Sequence, residues 1–207
     1  VDERGEIWRF TADGSGSGEQ LTFDADDHRW ELTPSPDGKW LIHHDKSSRL
    51  WKLNLETGQN QVIMQNLSTI DNDYGAFSFS PSGRYVAFHT SGDRRDSRVV
   101  MVHDLLGNDT VQVVGDKYRS SSPAFSRDGD WLYFLSERNF DTSPGSPWGD
   151  RNMGSEFDKR TLLLALPLTT DAVFPFSKPD ELTPEEPDEE SETGSESETA
   201  ASAAIDW

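Results

Sequence analysis

Short runs of β-branched and aromatic residues, separated by turn-forming residues, recur along most of the chain. Ala76-Phe77-Ser78-Phe79 and Tyr85-Val86-Ala87-Phe88 are two such runs, and Ser-Pro-Ser-Gly lies between them. Runs of this length, bounded by glycine, proline and serine, are typical of strands and not of helices. The pattern therefore predicts an all-β chain that contains hairpins.

One hairpin turn occurs three times. Its glycines are Gly38, Gly83 and Gly129, which lie 45 and 46 residues apart. Serine stands three positions before each glycine, and an aromatic residue stands two positions after it. Proline presets φ at the second position of such a turn and glycine accepts a positive φ, so each unit begins as a hairpin. The aromatic residues are Trp40, Tyr85 and Trp131.

Two further predicted strands follow the hairpin in the first two units, and the N-terminal residues supply the same pair for an earlier unit. Four short antiparallel strands in about 40 to 50 residues are the signature of β-propeller blades. A β-sandwich with coincidental turns is the alternative, but the order of strands and turns agrees through the whole unit. The predicted strands are Leu50–Leu55 and Gln61–Met64, Val99–His103 and Val111–Val114, and, near the N-terminus, Ile7–Phe10 and Glu19–Thr22.

The repeat divides the chain into five parts. The fold class predicted is an all-β partial β-propeller with about three four-stranded blades, the end of a preceding blade and a disordered acidic tail. A ring needs more blades than these, typically about four to eight, and the first residue is valine. We therefore expect the chain to be a piece of a longer protein. The parts are 1–27 (end of a preceding blade), 28–70, 71–117 and 118–178 (blades, the last with an inserted loop at about 138–159) and 179–207 (acidic linker leading into a further strand).

Charge is distributed unevenly along the chain. Residues 1–179 hold all 19 Lys and Arg and 27 of the 38 Asp and Glu, a net charge of −8; residues 180–207 hold the other 11 acids and no base, a net charge of −11. Low hydrophobicity with charge of one sign predicts disorder at about 180–203. The acidic balance disfavours nucleic acid and anionic membrane surfaces as partners. No apolar run reaches the length of about 18 residues that a membrane span needs.

Catalytic and metal-binding chemistry is not predicted for this segment. There is no cysteine and no Gly-x-Ser-x-Gly sequence, so no nucleophile, metal site or cofactor is assigned. His43, His44 and His89 are expected at equivalent places just after the second strand of a blade, where a structural role suffices. The acidic clusters 24–27 and 71–73 could attract calcium, but neither completes a calcium-loop pattern.

Arg94 and Arg95 form the only adjacent arginine pair and lie in the predicted loop 91–96. Guanidinium groups suit the terminal carboxylate of a peptide. We therefore predict substrate binding at this pair. The alternative is a solvated loop in which Asp93 and Asp96 are the partners of the arginines.

The residues of the last blade carry a resemblance to a known family. The Ser-Pro-Asp-Gly turn and the following strand resemble repeats shared by TolB-like and tricorn propellers. The stretch 122–140, the long loop, the strand through Leu166 and the acidic linker resemble the propeller region of tricorn-type serine peptidases. That resemblance implies two propellers followed by a PDZ-like module and a serine peptidase core, in a cytoplasmic hexamer that hydrolyses oligopeptides.

The expected function is therefore a non-catalytic propeller segment that guides oligopeptides to or from a catalytic chamber encoded elsewhere in the full chain. No catalytic residue is carried over from the family to this sequence. A TolB-like scaffold for protein–protein binding and the propeller of a prolyl-oligopeptidase-type hydrolase are the alternatives. The residues that follow Trp207 in the full reading frame would distinguish the three.

Overall fold

A computed structural model describes residues 1–66, 74–94, 96–141 and 157–177, and these residues form strands and turns without a helix. The all-β prediction is confirmed. The strands are β1 (Trp8–Arg9), β2 (Glu19–Gln20), β3 (Arg29–Pro34), β4 (Trp40–Asp45), β5 (Arg49–Asn54), β6 (Asn60–Gln65), β7 (Gly75–Phe79), β8 (Tyr85–Ser91), β9 (Arg98–Asp104), β10 (Thr110–Gln112), β11 (Ser120–Phe125), β12 (Trp131–Glu137) and β13 (Thr161–Pro167).

The strands form four antiparallel sheets in which each strand pairs with its neighbours along the chain. The sheets are β1-β2, β3-β4-β5-β6, β7-β8-β9-β10 and β11-β12-β13. The two middle sheets are complete four-stranded blades. In the last sheet the described residues supply three strands, and the segment that follows β13 folds back onto β12, where the Trp131 indole donates a hydrogen bond to the Val173 carbonyl at 3.2 Å.

The repeated serine of the hairpin turn accepts a backbone hydrogen bond. Ser80 Oγ accepts from the Tyr85 N–H at 3.0 Å, and the corresponding contacts of the other two turns measure 2.9 Å. The turn glycines have positive φ angles of 70°, 70° and 86°, which are costly for residues with a Cβ. The spacing of serine, glycine and aromatic residue in the sequence therefore follows from the hydrogen bonding of one turn.

Replacing Ser80 with alanine is expected to lower the free energy of unfolding by about 1–3 kcal/mol, because the buried Tyr85 N–H loses its hydroxyl acceptor. Ser80 and Tyr85 are 5% and 2% exposed. Urea unfolding measures the change. Ser17→Ala, in the exposed β1–β2 loop, is the matched control, and equal effects of the two substitutions would contradict this account of the turn.

Successive sheets pack face to face through apolar side chains. Leu41 and Leu53 pack on Ile7, which precedes β1. The interface of the two complete blades contains Ile42, Leu50, Tyr74, Val86 and Phe88, and that between the second complete blade and the last sheet contains Ala87, Val100, Val102, Leu132 and Phe134.

Polar side chains also cross between blades. The ammonium group of Lys52 donates to the Leu105 carbonyl at 2.7 Å in a buried contact. The Tyr74 hydroxyl donates to the Ser48 carbonyl at 2.8 Å, and the Phe125 N–H donates to Ser78 Oγ at 3.1 Å. Each blade is therefore held to the next both by apolar packing and by side-chain hydrogen bonds.

The first strand of each blade carries a β-bulge that the sequence pattern did not predict. The pairing register shifts at Glu31 in β3, at Ala76 in β7 and at Ser122 in β11. These three residues have φ angles of 53°, 51° and 54°. A non-glycine residue in this region costs roughly 1–2 kcal/mol, which the rest of the fold must offset.

Several predictions from sequence fall on residues outside the described ranges. These are the second acidic cluster at 71–73, Arg95, most of the inserted loop (142–156) and the acidic linker. The part boundaries at residues 27, 70, 117 and 178 stay predictions. Across the described ranges, no helix is long and apolar enough to cross a membrane.

Candidate functional site

Three loops meet at one end of the second complete blade and the last sheet. Because the strands run antiparallel in chain order, the β8–β9 loop, the β10–β11 connection and the β12–β13 loop all lie at the same end. At the end of β12, the backbone N–H of Glu137 donates a hydrogen bond to the Arg119 carbonyl at 2.8 Å. The connection before β11 is thereby joined to the loop after β12.

A cleft of about 450 Å³ lies between these loops. Its residues come from all three loops and from the end of β12. This space is the inter-blade cleft. It is lined by Asp96, Lys117, Tyr118, Arg119, Glu137, Phe140 and Arg160.

Aromatic rings form one side of the inter-blade cleft. Tyr118 packs on Phe140 with ring centroids 6.0 Å apart, and Phe140 contacts Phe157 edge to face at 5.4 Å. Lys117 Nζ and Arg138 Cζ lie 5.2 and 5.1 Å from the centroid of the Tyr118 ring. Such cation–π contacts hold two positive charges against the aromatic surface without neutralising them. Through Phe140, the β12–β13 loop packs against the connection that precedes β11.

Glu137 is the carboxylate shared by the cleft arginines. Arg160 Nη2 donates to its Oε2 in a close contact, and Arg119 Nε lies 4.0 Å from its Oε1. The latter distance exceeds that of a hydrogen bond. Among the described residues, no carboxylate lies within hydrogen-bond distance of the Arg119, Lys117 or Arg138 side chains. The cleft therefore presents cationic groups with unused donors, although the chain as a whole is acidic.

Arg94 lies in the β8–β9 loop beside this cleft. Its Nε is 3.4 Å from Asp116 Oδ2, and its side chain is 67% exposed. Its ionic partner therefore comes from the β10–β11 connection, whereas the sequence had pointed to Asp93 and Asp96. Arg95 lies outside the described residues. Substrate binding at the arginine pair stays a prediction. The sequence hypothesis did not include Lys117, Tyr118, Arg119 or Arg160; the first three form an aromatic residue flanked by two bases, which was the available signal.

The histidines lie inside strands, and not after them as the sequence pattern suggested. His43 and His44 belong to β4, and His89 to β8. His44 and His89 occupy equivalent positions, whereas the equivalent of His43 is Phe88. The side chain of His43 stacks on Trp51, while that of His44 contacts Trp30 and Tyr74 on the opposite face. Burial lowers the pKa of all three imidazoles, which suits neutral packing residues.

The first acidic cluster binds basic side chains of the protein. Asp24 Oδ1 accepts from Arg29 Nη2 at 2.8 Å, Asp26 accepts from Arg49, and Asp27 Oδ2 accepts from Ser47 Oγ at 2.6 Å. These carboxylates hold the β2–β3 connection against the first complete blade. Within the described residues, no group of three or more His, Asp or Glu is placed to hold a metal ion.

The chain is similar to known proteins in sequence as well as in fold. The chain is 27% identical over 112 residues to the tricorn protease of Thermoplasma acidophilum, and 24% identical over 119 residues to that of Thermoplasma volcanium. A crystal structure of the tricorn protease matches with a TM-score of 0.62 and 20% identity, over 78% of this chain and 15% of that one. The chain resembles the propeller region of tricorn protease.

The tricorn match covers part of each protein. The two curated tricorn proteases align with 52% and 55% of this chain, which spans about a tenth of their own length (10% and 11%). A crystal structure of TolB from Acinetobacter baumannii gives a TM-score of 0.47 with 21% identity, over 82% of this chain and 38% of that one. No protein-family model matches the chain. The predicted partial propeller is confirmed by the tricorn structure.

Proposed function

We propose that this chain is a non-catalytic propeller segment of a tricorn-like serine peptidase, and that it guides oligopeptides to or from a catalytic chamber encoded elsewhere in the full chain. The observation that carries the proposal is the 27% identity over 112 residues to a tricorn protease. The full protein is then a hydrolase, and by the same resemblance a cytoplasmic homo-oligomer, a hexamer.

The loops at one end of the blades support a role in peptide passage. A peptide in transit offers a repeated amide backbone, side chains and one terminal carboxylate. The cationic and aromatic groups around the inter-blade cleft match the last two of these. Loops mounted on a rigid sheet framework are also where binding residues concentrate in proteins.

Arg94 and Arg95 are the residues proposed to contact the terminal carboxylate. The Arg94 side chain is largely exposed, and its Nε lies 3.4 Å from Asp116 Oδ2. A guanidinium group with donors still available can take up a carboxylate as it passes. Because this interaction is made with the substrate and not with the reacting bond, its loss acts on binding.

In the full-length protein, Arg94→Ala/Arg95→Ala is expected to raise KM roughly tenfold for oligopeptides with a free terminal carboxylate, with little change in kcat. Hydrolysis of the same peptides with an amidated C-terminus is expected to stay unchanged. Arg127→Ala is the matched control, because Arg127 is an exposed arginine in the β11–β12 turn at the opposite end of the blade.

Two results would count against the proposal. Equal KM values for the double variant and the unmodified protein would exclude the arginine pair as a substrate contact. Absence of oligopeptide hydrolysis by the full-length protein, together with a reading frame that lacks a serine peptidase core, would exclude the function itself.

A further inference from the structure

We propose that the inter-blade cleft is a binding site for a carboxylate of an extended peptide, which Arg119 and Arg160 hold by displacing Glu137 while the Tyr118–Phe140 side receives the neighbouring apolar group. The choice of a peptide as the ligand rests on the proposed function. The site itself is argued from the contacts of the cleft and is distinct from the Arg94–Arg95 pair.

The arginines approach one carboxylate from different elements of the last sheet. Arg119 precedes β11, Glu137 ends β12 and Arg160 precedes β13. A guanidinium group has five N–H donors, and a carboxylate has about four acceptor positions. Glu137 engages Arg160 directly but lies 4.0 Å from Arg119. The donors of the two forks therefore exceed what Glu137 accepts, and a second carboxylate finds donors already positioned.

Glu137 acts in this arrangement as an internal competitor. Its side chain is 31% exposed, and those of Arg119 and Arg160 are 39% and 57% exposed. The pairs are accessible to solvent, so their exchange for a ligand carboxylate costs little. A peptide carboxylate that binds here replaces one partially solvated ion pair by another and adds the unused donors of Arg119.

The aromatic side determines what lies next to the carboxylate. Tyr118 and Phe140 expose ring surface to the cleft, and Lys117 and Arg138 hold two further charges against the Tyr118 ring. A basic side chain of a peptide is repelled by these groups. A short acidic peptide with an apolar neighbour is the ligand that matches both the charge and the surface.

Calorimetric titration of the chain with acetyl-Ala-Phe-Glu-Ala-amide tests the site. The probe is expected to bind at least about tenfold more tightly than the same peptide with glutamine in place of glutamate, because only the carboxylate forms charge-assisted hydrogen bonds. A third peptide, acetyl-Ala-Phe-Ala with a free C-terminus, shows whether a terminal carboxylate serves as well as a side-chain one. Equal affinity for all the peptides would overturn the proposal.

Variants of the cleft give effects of opposite sign. Arg160→Gln is expected to weaken binding of the glutamate peptide about tenfold, and Glu137→Gln is expected to tighten it several-fold, because the internal competitor is lost. Tighter binding cannot result from a folding defect. Arg127→Gln removes the same charge far from the cleft and is expected to leave the affinity unchanged. Weaker or unchanged binding by Glu137→Gln would contradict the displacement of Glu137.

Failure of this site and failure of the proposed function have different signatures. The titration requires no hydrolysis. If the chain binds the glutamate peptide but the full-length protein has no peptidase activity, the binding site is supported and the proposed function is contradicted. If the full-length protein is a peptidase but the glutamate and glutamine peptides bind with equal affinity, the proposed function is supported and the binding site is contradicted.

Discussion

Arg29→Met is expected to lower the free energy of unfolding by about 3–5 kcal/mol, the range observed when one partner of a buried ion pair is removed. The Arg29 side chain is 1% exposed. Its Nη1 lies 2.9 Å from Thr22 Oγ1 and 3.4 Å from Glu6 Oε2, and its Nη2 lies 2.8 Å from Asp24 Oδ1. Methionine fills a similar volume but leaves the Glu6 carboxylate, 10% exposed, without its cation.

The aromatic ring beside Arg29 makes the loss larger. Two arginines approach the Trp51 ring, with Arg29 Cζ 5.4 Å and Arg49 Cζ 5.0 Å from its centroid. Its indole N–H donates to Asp45 Oδ2 at 2.8 Å, and Arg49 Nε donates to the same oxygen at 2.6 Å. Removal of Arg29 therefore disturbs a network that joins the N-terminal sheet to the first complete blade.

An exposed arginine provides the matched control for this substitution. Arg9 pairs with Glu19, and the two side chains are 53% and 62% exposed. Arg9→Met is therefore expected to cost no more than about 1 kcal/mol. Urea unfolding of both variants gives the comparison. Equal losses of unfolding free energy for the two substitutions would show that Arg29 does not stabilise the junction between the N-terminal sheet and the first complete blade. If Glu6→Gln restores part of the stability lost in Arg29→Met, the unpaired Glu6 carboxylate is the cause of the loss.

Acidification is expected to destabilise the fold progressively from pH 6.5 to about 4, through His43 and His103. Burial lowers the pKa of each to about 4 from the ordinary value of 6.5. The unfolded chain thus binds more protons than the folded one in this interval. The free energy of unfolding is therefore highest above pH 6.5 and decreases as the pH is lowered. Each histidine contributes a loss of about 3 kcal/mol at pH 4.

The surroundings of the two histidines explain why they stay neutral. His43 is fully buried, stacks on Trp51 and places its Nε2 3.0 Å from Asn60 Oδ1. His103 places its Nδ1 2.8 Å from Thr110 Oγ1, while its Nε2 is buried and has no hydrogen-bond partner among the residues that the structure describes. The ammonium group of Lys52 further lowers the pKa of His103. A proton on either ring would lie in an apolar or cationic environment.

Unfolding free energies measured across this pH interval test the assignment. In His43→Gln/His103→Gln the loss between pH 6.5 and 4 is expected to shrink by about 3 kcal/mol for each histidine replaced. His28→Gln removes an exposed histidine and serves as the control. Carboxylates such as that of Asp26, whose pKa the hydrogen bond from Arg49 holds below 3.8, act below this interval. An unchanged slope in the double variant would assign the acid sensitivity to other groups.

Features that depend on neighbouring residues were predictable from the sequence. The turns at Gly38, Gly83 and Gly129 were predicted because a positive φ, a serine acceptor and an aromatic strand start all fall within six residues. The strands beside them followed from short apolar runs. These features are local, so one unit repeats another with the same spacing.

Features that depend on contacts between blades were not predictable. The bulges at Glu31, Ala76 and Ser122 share no residue type, and all three residues are exposed, so no local sequence signal marks their positive φ. The sequence pattern predicts His43, His44 and His89 just after the second strand of a blade, whereas they lie inside β4 and β8, where their imidazoles are buried by neighbouring elements.

That this protein is a series of blades follows from its sequence, because hairpin turns and strand patterns depend on residues close together in the chain. Where its charges act depends on the tertiary structure. Arg29 is buried by residues of two sheets, and Arg119, Glu137 and Arg160 come together only because β11, β12 and β13 align their ends. Antiparallel pairing brings residues about 20 positions apart to the same edge, and the sequence does not show which side chains then face one another.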